Sequence, residues 1–203
     1  MKDFLTSIVQ HSLGSAPEDM LRISLHSGIE LSGASGGSIL GEEGPYLQFL
    51  FSDLTSLIGK KVPYESIAGS CIRNGHYIYT FAPSDKRHYH GVDQEVHKET
   101  RYLLSIPIPS ILPSTKSAQV RRNAGVMQLL FEENIMPEYD PTAGAVELDL
   151  ESFSANPVIL ARFQNIFILL PMIAFGMEVM SLRQTSYQVI HELHLYAKSL
   201  QNE

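Results

Sequence analysis

The chain has 203 residues, of which 44% are hydrophobic and 18% are charged, and its formal net charge is -7. This length and composition predict one globular domain with room for a helical extension, and they exclude a disordered chain. The 15 basic residues are scattered, and the sequence has no basic stripe of the kind that a phosphate backbone requires. We therefore expect no nucleic-acid partner.

The single cysteine, Cys71, excludes an internal disulfide framework and is typical of a reducing compartment. No basic leader with an apolar core opens the sequence, so we expect no export. The longest apolar run, residues 166–177, contains Pro171 and Gly176 and is shorter than the about 20 residues that span a bilayer. We therefore expect a cytoplasmic protein without a membrane partner.

The first part of the chain predicts two helices and a hairpin. Apolar residues at i, i+4 spacing indicate a short helix over residues 2–13. Ser15 as a cap and Pro17 in the first turn indicate a second helix that ends near Gly33. Residues 38–40 and 46–52 then predict two strands joined by a turn at 41–45.

The middle of the chain predicts a polar segment between strands. After a loop through Gly59, residues 66–73 indicate a short helix closed by Gly75, and residues 76–81 indicate a strand. The following residues are rich in ionisable and aromatic side chains, with a short helix expected over 93–100. Such a segment on one face of a sheet is expected to form a pocket with polar walls and an apolar floor.

The remaining elements predict two central strands and a long helix. Strands are expected over residues 102–108 and 124–131, with a loop over 111–122 between them. Residues 134–156 are acidic and turn-rich and predict a long loop. The pattern is helical from Pro157 to about Leu200, with a kink or restart expected at Pro171.

This order of elements predicts an α+β fold: a central antiparallel sheet, the N- and C-terminal helices on one face, and a polar helix and loop lobe forming a pocket on the other. It resembles the GAF family of small-molecule sensory domains, and so do four motifs. The motifs are ELSGASGGSI at 30–39, PSDKR at 83–87, YLLSIPI at 102–108 and AGVMQLL at 124–130. The resemblance implies a ligand beneath the lobe, dimerisation through terminal helices and a signal passed along the last helix. We assign residues 1–182 to the GAF-like domain and residues 183–203 to a signalling and dimerisation helix.

The sequence departs from several ligand classes of the family. Phe131 and Glu132 stand where members that bind cyclic nucleotides often have asparagine and lysine, and Tyr102 stands where serine is common. One cysteine cannot form the disulfide that methionine sulfoxide reduction needs. Cys71 lies before the lobe, so we do not assign it a bilin. The cofactor, if the domain has one, is left unknown.

Six residues are candidate ligand contacts. Phe81 and Tyr89 are predicted to stack on a planar ligand. Hydrogen bonds to a ligand are expected from Asp85, Tyr89 and Thr100, and the remaining candidates are Ser105 and Gln128. Asp85 has an equal alternative, which is to cap the first turn of the lobe and pair with Arg87. Gln128 interrupts an apolar strand, and a buried amide there needs a partner from a ligand, the backbone or water.

Three patterns have simpler structural interpretations. His88, His90 and His97 with Asp85 and Asp93 match no zinc spacing, so we expect no metal. His191 and His194 are three residues apart, unlike the metalloprotease motif. Cys71 is expected to be a small buried residue rather than a redox switch.

The C-terminal residues Ile190, Leu193, Ala197 and Leu200 follow the spacing of a two-helix seam and favour a homodimer, although packing on the same domain is an alternative.

The sequence has no nucleophile with an adjacent base, so we do not expect an enzyme. The first hypothesis is a sensory domain that binds a small organic ligand and signals through a helical homodimer. The alternative is a dimerisation or docking module of the same fold without a ligand. The output partner is expected to be a separate protein or a further domain.

Overall fold

The computed structural model describes residues 16–96, 99–111 and 123–200, with side chains described as far as residue 195. The strands of the described residues are β1 Gly36–Glu43, β2 Tyr46–Ser52, β3 Lys61–Pro63, β4 Tyr77–Phe81, β5 Tyr102–Pro109, β6 Asn123–Phe131 and β7 Val146–Leu148. The helices are α1 Pro17–Ser32, α2 Ile67–Asn74, α3 Gly91–Val96, α4 Leu150–Ala155 and α5 Pro157–Leu200, with 3-10 turns at Thr55–Leu57 and Ala82–Ser84. The predicted helix over 2–13 and almost all of the predicted loop over 111–122 lie outside the described residues.

The strands form one antiparallel sheet in the order β3-β2-β1-β6-β5-β4-β7. α1 and α5 pack together on one face, where their apolar side chains share a core with Leu104, Ile106 and Met127 of the central strands. α2 and α3 cover the other face, where Leu103 and Val126 belong to a second core. The predicted α+β architecture, with terminal helices on one face and the lobe on the other, is confirmed.

α1 begins and ends as its sequence indicates. Pro17 occupies the first turn, where its missing N–H leaves no hydrogen bond unmade, and acidic residues lie near the positive end of the helix dipole. Gly33 ends the helix in the left-handed conformation at φ 66°, and its N–H donates to Glu30 O. The residue at the N-cap is Ala16, which forms no side-chain cap, and the predicted cap Ser15 lies outside the described residues.

Several boundaries differ from the prediction. β1 continues to Glu43, so the hairpin turn is only Gly44 and Pro45. The predicted loop over 134–156 contains β7 and α4, and the loop before α2 contains β3. β3 and β7 have three residues each, which is too short for an alternating pattern to be visible in the sequence.

α5 is one continuous helix of 44 residues that runs through Pro171, so the restart, one of the two predicted outcomes there, does not occur. Its first half contributes Phe163, Ile166 and Ile173 to the core beside α1. By length and composition alone, residues Pro157–Leu195 could cross a membrane, and 39% of their most apolar window is buried inside the domain. The helix therefore has two apolar faces: one is buried in the core of the domain, and the other remains exposed.

Candidate ligand-binding site

A cavity lies on the face of the sheet opposite α1 and α5, beneath the described residues 82–96 and 99–101, which we call the lobe. Val92 and Val96 of α3 pack against the core of this face, so the lobe folds back over the sheet. The apolar lining of the cavity is Phe49, Leu57, Val62, Ile67, Ala68, Val92, Leu103 and Leu130. The polar lining is Ser38, Ser66, Arg87, His88, Tyr89, Thr100 and Gln128.

The floor of the cavity is a row of polar side chains across the central strands. Strand register places Ser52 opposite Ser38, Ser38 opposite Gln128, and Gln128 opposite Ser105. Ser38 Oγ donates to Ser52 Oγ at 2.9 Å, and Gln128 Nε2 donates to Ser105 Oγ at 3.1 Å. Because the strand positions around this row are apolar, the row is a localised set of hydrogen-bonding groups in an otherwise apolar surface.

A bidentate ion pair between Arg87 and Asp85 forms one wall. The Arg87 N–H and Nε donate to Asp85 Oδ1 at 2.9 and 3.1 Å, and Nη2 donates to Asp85 Oδ2 at 2.9 Å. Nη1 donates to Glu147 Oε1 at 2.5 Å, which ties the lobe to β7. Burial alone would raise the pKa of Asp85, but the hydrogen bonds from Arg87 outweigh it and hold that pKa below its usual value. The same bonds to Asp85, with those to Glu147, raise the pKa of Arg87.

A second polar cluster lies at the start of α3. His88 Nε2 is 2.7 Å from Asp93 Oδ2, and Thr100 donates to Asp93 Oδ1 from its N–H at 3.2 Å and its Oγ1 at 2.7 Å. His88 and Thr100 also line the cavity. Asp93 therefore joins the two ends of the lobe, and the hydrogen bonds that it accepts fix two of the groups that face the cavity.

The space inside the cavity is small. The centres of water-sized molecules can occupy about 60 Å³, within a total empty volume of about 540 Å³ that includes the mouth. Pockets for drug-sized ligands typically measure about 300–1,000 Å³, so the space in this cavity is small. A neighbouring cavity, lined by Gly36, Asp53, Glu99, Arg101 and Glu132 among others, shares Thr100 and Leu130 with it.

The structure brings three of the six predicted contacts together at this cavity: Tyr89, Thr100 and Gln128. Ser105 lies beneath Gln128 and is fully buried, so it supports the floor through that side chain. Asp85 adopts the predicted alternative, because it pairs with Arg87 and accepts the backbone N–H of the turn.

The placement of Phe81 differs from the prediction. Its ring packs beside Tyr102 on the helix face of the sheet, with the ring centroids 5.2 Å apart. The physical reason is the two-residue alternation of β4: Tyr77, Tyr79 and Phe81 point to one face, while Ile78 and Thr80 point to the other. Phe81 is therefore separated by the sheet from the cavity to which the sequence assigned it.

Several lining residues escaped the sequence analysis. Phe49, Leu57, Val62 and Ile67 come from the hairpin, a 3-10 turn, a three-residue strand and the start of α2. Each is an ordinary apolar core residue in sequence, and only the fold brings them to one place. Ser38 could have been recognised from the sequence, because it is a polar residue between a glycine and two apolar residues in a predicted strand.

Cys71 is fully buried in α2, as the sequence predicts. Burial raises the pKa of its thiol well above the usual value, and the nearby Glu147 carboxylate adds to the effect. The thiol is therefore neutral at physiological pH, which is the state of a structural cysteine.

Comparison with solved structures gives GAF domains across most of the chain. A GAF domain of a phosphoenolpyruvate-protein phosphotransferase from Acinetobacter matches with a TM-score of 0.61 and 12% identity, over 90% of this chain and 96% of that one. A GAF domain of a two-component sensor histidine kinase from Bacillus halodurans matches with a TM-score of 0.53 and 15% identity, over 82% and 97%. The phycocyanobilin-bound GAF domain of a cyanobacterial phytochrome matches with a TM-score of 0.52 and 14% identity, over 86% and 94%.

No protein-family model matches the sequence, and no curated protein matches it. The solved structures are all below 25% identity, so they establish the fold. The chain has a GAF-like fold, as its motifs indicate.

Proposed function

We propose that this chain is a cytoplasmic sensory domain that binds a small, uncharged organic molecule in the cavity under the lobe and passes the signal through a helical homodimer. The observation that carries the proposal is the hydrogen-bonding floor of Ser38 and Gln128 inside an apolar cavity. Cavities of this kind bind a ligand by apolar burial and orient it through a few polar groups. Two of the similar solved structures belong to a sensor kinase and a phytochrome, which agrees with a sensory role.

The charge of the lining favours a neutral ligand. Arg87 is the only permanently charged residue among the described residues that line the cavity, and its guanidinium is already paired with Asp85 and Glu147. His88 is likewise paired with Asp93. An anionic ligand would compete with these carboxylates for their cations, whereas a neutral ligand would leave both pairs intact.

The size of the cavity favours a molecule much smaller than a nucleotide or a bilin. The cavity offers about 60 Å³, against the about 300–1,000 Å³ of pockets for drug-sized ligands, so it accommodates only a small molecule without rearrangement. Such a ligand would reach the Gln128 amide and the Ser38 hydroxyl at the floor and remain in contact with Leu103 and Leu130. A larger ligand would require the lobe to move outward.

The exposed face of α5 supports a dimer. Side chains at alternating spacings of four and three residues run along the helix, and from 168 to 193 all of them are exposed or half-buried. These positions are Ile168, Met172, Phe175, Val179, Leu182, Ser186, Val189 and Leu193, and the sequence continues the series with Tyr196 and Leu200. All except Ser186 are apolar, which is the heptad pattern of a two-helix coiled coil over several repeats. This series shares Leu193 and Leu200 with the seam predicted from the sequence. It runs through Val189 and Tyr196 in place of Ile190 and Ala197, and it extends back to Ile168.

A second copy of this chain is the occupant that this face fits. A coiled coil needs a partner helix with the same heptad repeat, and an identical α5 supplies it. The exposed apolar residues include Phe175 at 51%, Leu182 at 55% and Leu193 at 61% exposure, so pairing would remove large side chains from water.

The sheet links the cavity to this helix. Gln128 faces the cavity, while its neighbours Met127 and Leu129 in β6 are buried in the core that α5 shares. A shift of β6 on binding would therefore displace residues that pack against α5. Binding changes the helix arrangement only if the ligand has a higher affinity for one arrangement than for the other.

The small enclosed volume favours one alternative, a docking or dimerisation module of the same fold without a ligand. A thermal-shift screen of small neutral, anionic and cationic metabolites separates the two. The sensory function predicts that a neutral compound raises the melting temperature of the wild-type chain and has no effect on Gln128→Leu. A flat response to every compound, from a chain that is still dimeric, would establish the module instead.

A further inference from the structure

Three side chains in the lobe converge outside the floor of the cavity. His88, His90 and Asp93 each bring one potential ligand atom within 4.8 Å of the other two. Asp93 Oδ2 is 2.7 Å from His88 Nε2 and 4.0 Å from His90 Nδ1. The two imidazole rings are nearly perpendicular, with centroids 4.7 Å apart. We propose that this cluster is a binding site for a divalent transition-metal ion, with Zn²⁺ as the ion that fits its ligand set.

The chemistry of the three groups suits such an ion. Imidazole nitrogens with a carboxylate oxygen form a common ligand set for zinc and for other first-row divalent metals, and three protein ligands leave a position open. Calcium and magnesium are disfavoured because they require oxygen ligands, and two of the three groups here are nitrogen donors.

The local fold explains why the spacing matches no zinc motif in sequence. A turn in which the His88 N–H donates to Asp85 O precedes α3, and the Gln94 N–H donates to His90 O at its start. His88 and His90 therefore lie on the chain entering the helix, and Asp93 lies in the first turn, so all three meet at one end of α3. The turn brings the three side chains together, so the number of residues between them in the sequence does not reveal the site.

Two of the ligands are held in place by neighbouring residues. The side chains of His88 and Asp93 are only 7% and 13% exposed. Thr100 donates two hydrogen bonds to Asp93 Oδ1, which leaves Oδ2 directed towards His88 and His90. A carboxylate oriented in this way by a second residue is what a metal site needs to hold its geometry.

The third ligand lies open to solvent. The His90 side chain is 64% exposed, so an ion can reach the cluster from outside, and this ring can adjust its position on binding. His88 also lines the cavity, so the bound ion would lie at the cavity wall. The site is separate from the floor at Gln128 and does not depend on the organic ligand proposed above.

Isothermal titration of the untagged full chain with Zn²⁺ tests the site, and the absorption of Co²⁺ bound in its place reports the ligand set. We expect one Zn²⁺ per chain, with His90→Ala and Asp93→Asn each weakening the affinity roughly tenfold or more. His90 is exposed, so its removal leaves the fold intact and keeps the test valid if His88→Ala misfolds. Thr100→Val, which removes the hydroxyl that orients Asp93, should weaken the affinity while one-to-one binding persists.

The matched control is the double variant His191→Ala, His194→Ala on the exposed part of α5, which should bind Zn²⁺ like the wild-type chain. The proposal is overturned by the absence of one-to-one binding, by an affinity unchanged in His90→Ala, or by loss of binding in the α5 control. Co²⁺ spectra that are identical in wild-type and His90→Ala chains would also overturn it.

Discussion

Gln128 and Ser105 lie side by side on β6 and β5, and the amide of Gln128 donates to the hydroxyl of Ser105 at 3.1 Å. Ser105 is fully buried, while Gln128 reaches the cavity. The pair therefore connects the cavity floor to the interior of the sheet. Substitutions of Gln128, alone and together with Ser105, can therefore separate an effect on ligand binding from an effect on stability.

Replacing Gln128 with leucine should abolish ligand binding at a moderate cost in stability. The Ser105 hydroxyl would lose its hydrogen bond in a buried place, which costs about 1–3 kcal/mol. Adding Ser105→Ala removes the hydroxyl that needs a partner, so the double variant should recover much of that loss. Urea unfolding of the two single variants and the double variant measures the coupling. Strictly additive effects would show that the hydrogen bond does not contribute.

The ion pair of Asp85 and Arg87 should make stability depend on acid pH. Because the pKa of Asp85 is lower in the folded chain than in the unfolded chain, its contribution is fully present above the unfolded value. That contribution is lost as the pH falls below the usual carboxyl range of about 4 and through the depressed folded value. Urea unfolding from pH 6 to pH 3 should therefore show a steeper loss for the wild-type chain than for Asp85→Asn.

Asp19→Asn is the control for this measurement. Asp19 forms an exposed ion pair with Arg22 on α1, and exposed pairs contribute little to stability. This variant should follow the wild-type curve across the range. An Asp85→Asn curve as steep as the wild-type curve would contradict the role of the ion pair.

The sequence predicted the sheet and its central strands because their motifs are long and their apolar residues are continuous. It predicted Gln128 because an amide in the apolar strand at 124–131 stands out. It could not choose the face of β4, since Tyr77 and Tyr79 cover one face and Ile78 the other, and both faces are buried. The assignment of Phe81 to the cavity was wrong for this reason.

The remaining parts of the site depend on contacts between distant parts of the chain. Glu147 reaches Arg87 only because β7 pairs with β4, and β7 is too short to be recognised in sequence. The meeting of His88, His90 and Asp93 depends on the turn before α3. The central strands and Gln128 were thus accessible from local patterns, whereas the walls of the cavity required tertiary structure.

Cys71 should resist thiol reagents in the native chain. Its side chain is fully buried, and burial raises the pKa of the thiol, so very little thiolate is available at pH 8. Labelling by a disulfide reagent should require opening of the domain, so it should be much slower than for a free cysteine and should accelerate when urea is added. Labelling of the folded chain at the rate of a free cysteine would contradict the burial of α2 against the sheet.

Leu182→Glu should separate the dimer without unfolding the domain. Leu182 lies in the apolar series on α5 and is 55% exposed, so a charge there harms pairing while the core is unaffected. Sedimentation velocity should show a dimer for the wild-type chain and a monomer for this variant. Gln188→Glu, on the same exposed segment but outside the series, should remain a dimer. A monomeric wild-type chain at micromolar concentration would refute the seam, and association with lipid vesicles would assign its apolar face to a membrane.

The most direct test of the account is native mass spectrometry of the untagged chain with the neutral compound that stabilises it in the thermal-shift screen. We predict a dimer that carries one molecule of the compound per chain, a bare dimer for Gln128→Leu, and a monomer for Leu182→Glu. A wild-type chain that binds no compound, or that binds it equally well after Gln128→Leu, would contradict the claim that the cavity under the lobe is a ligand site.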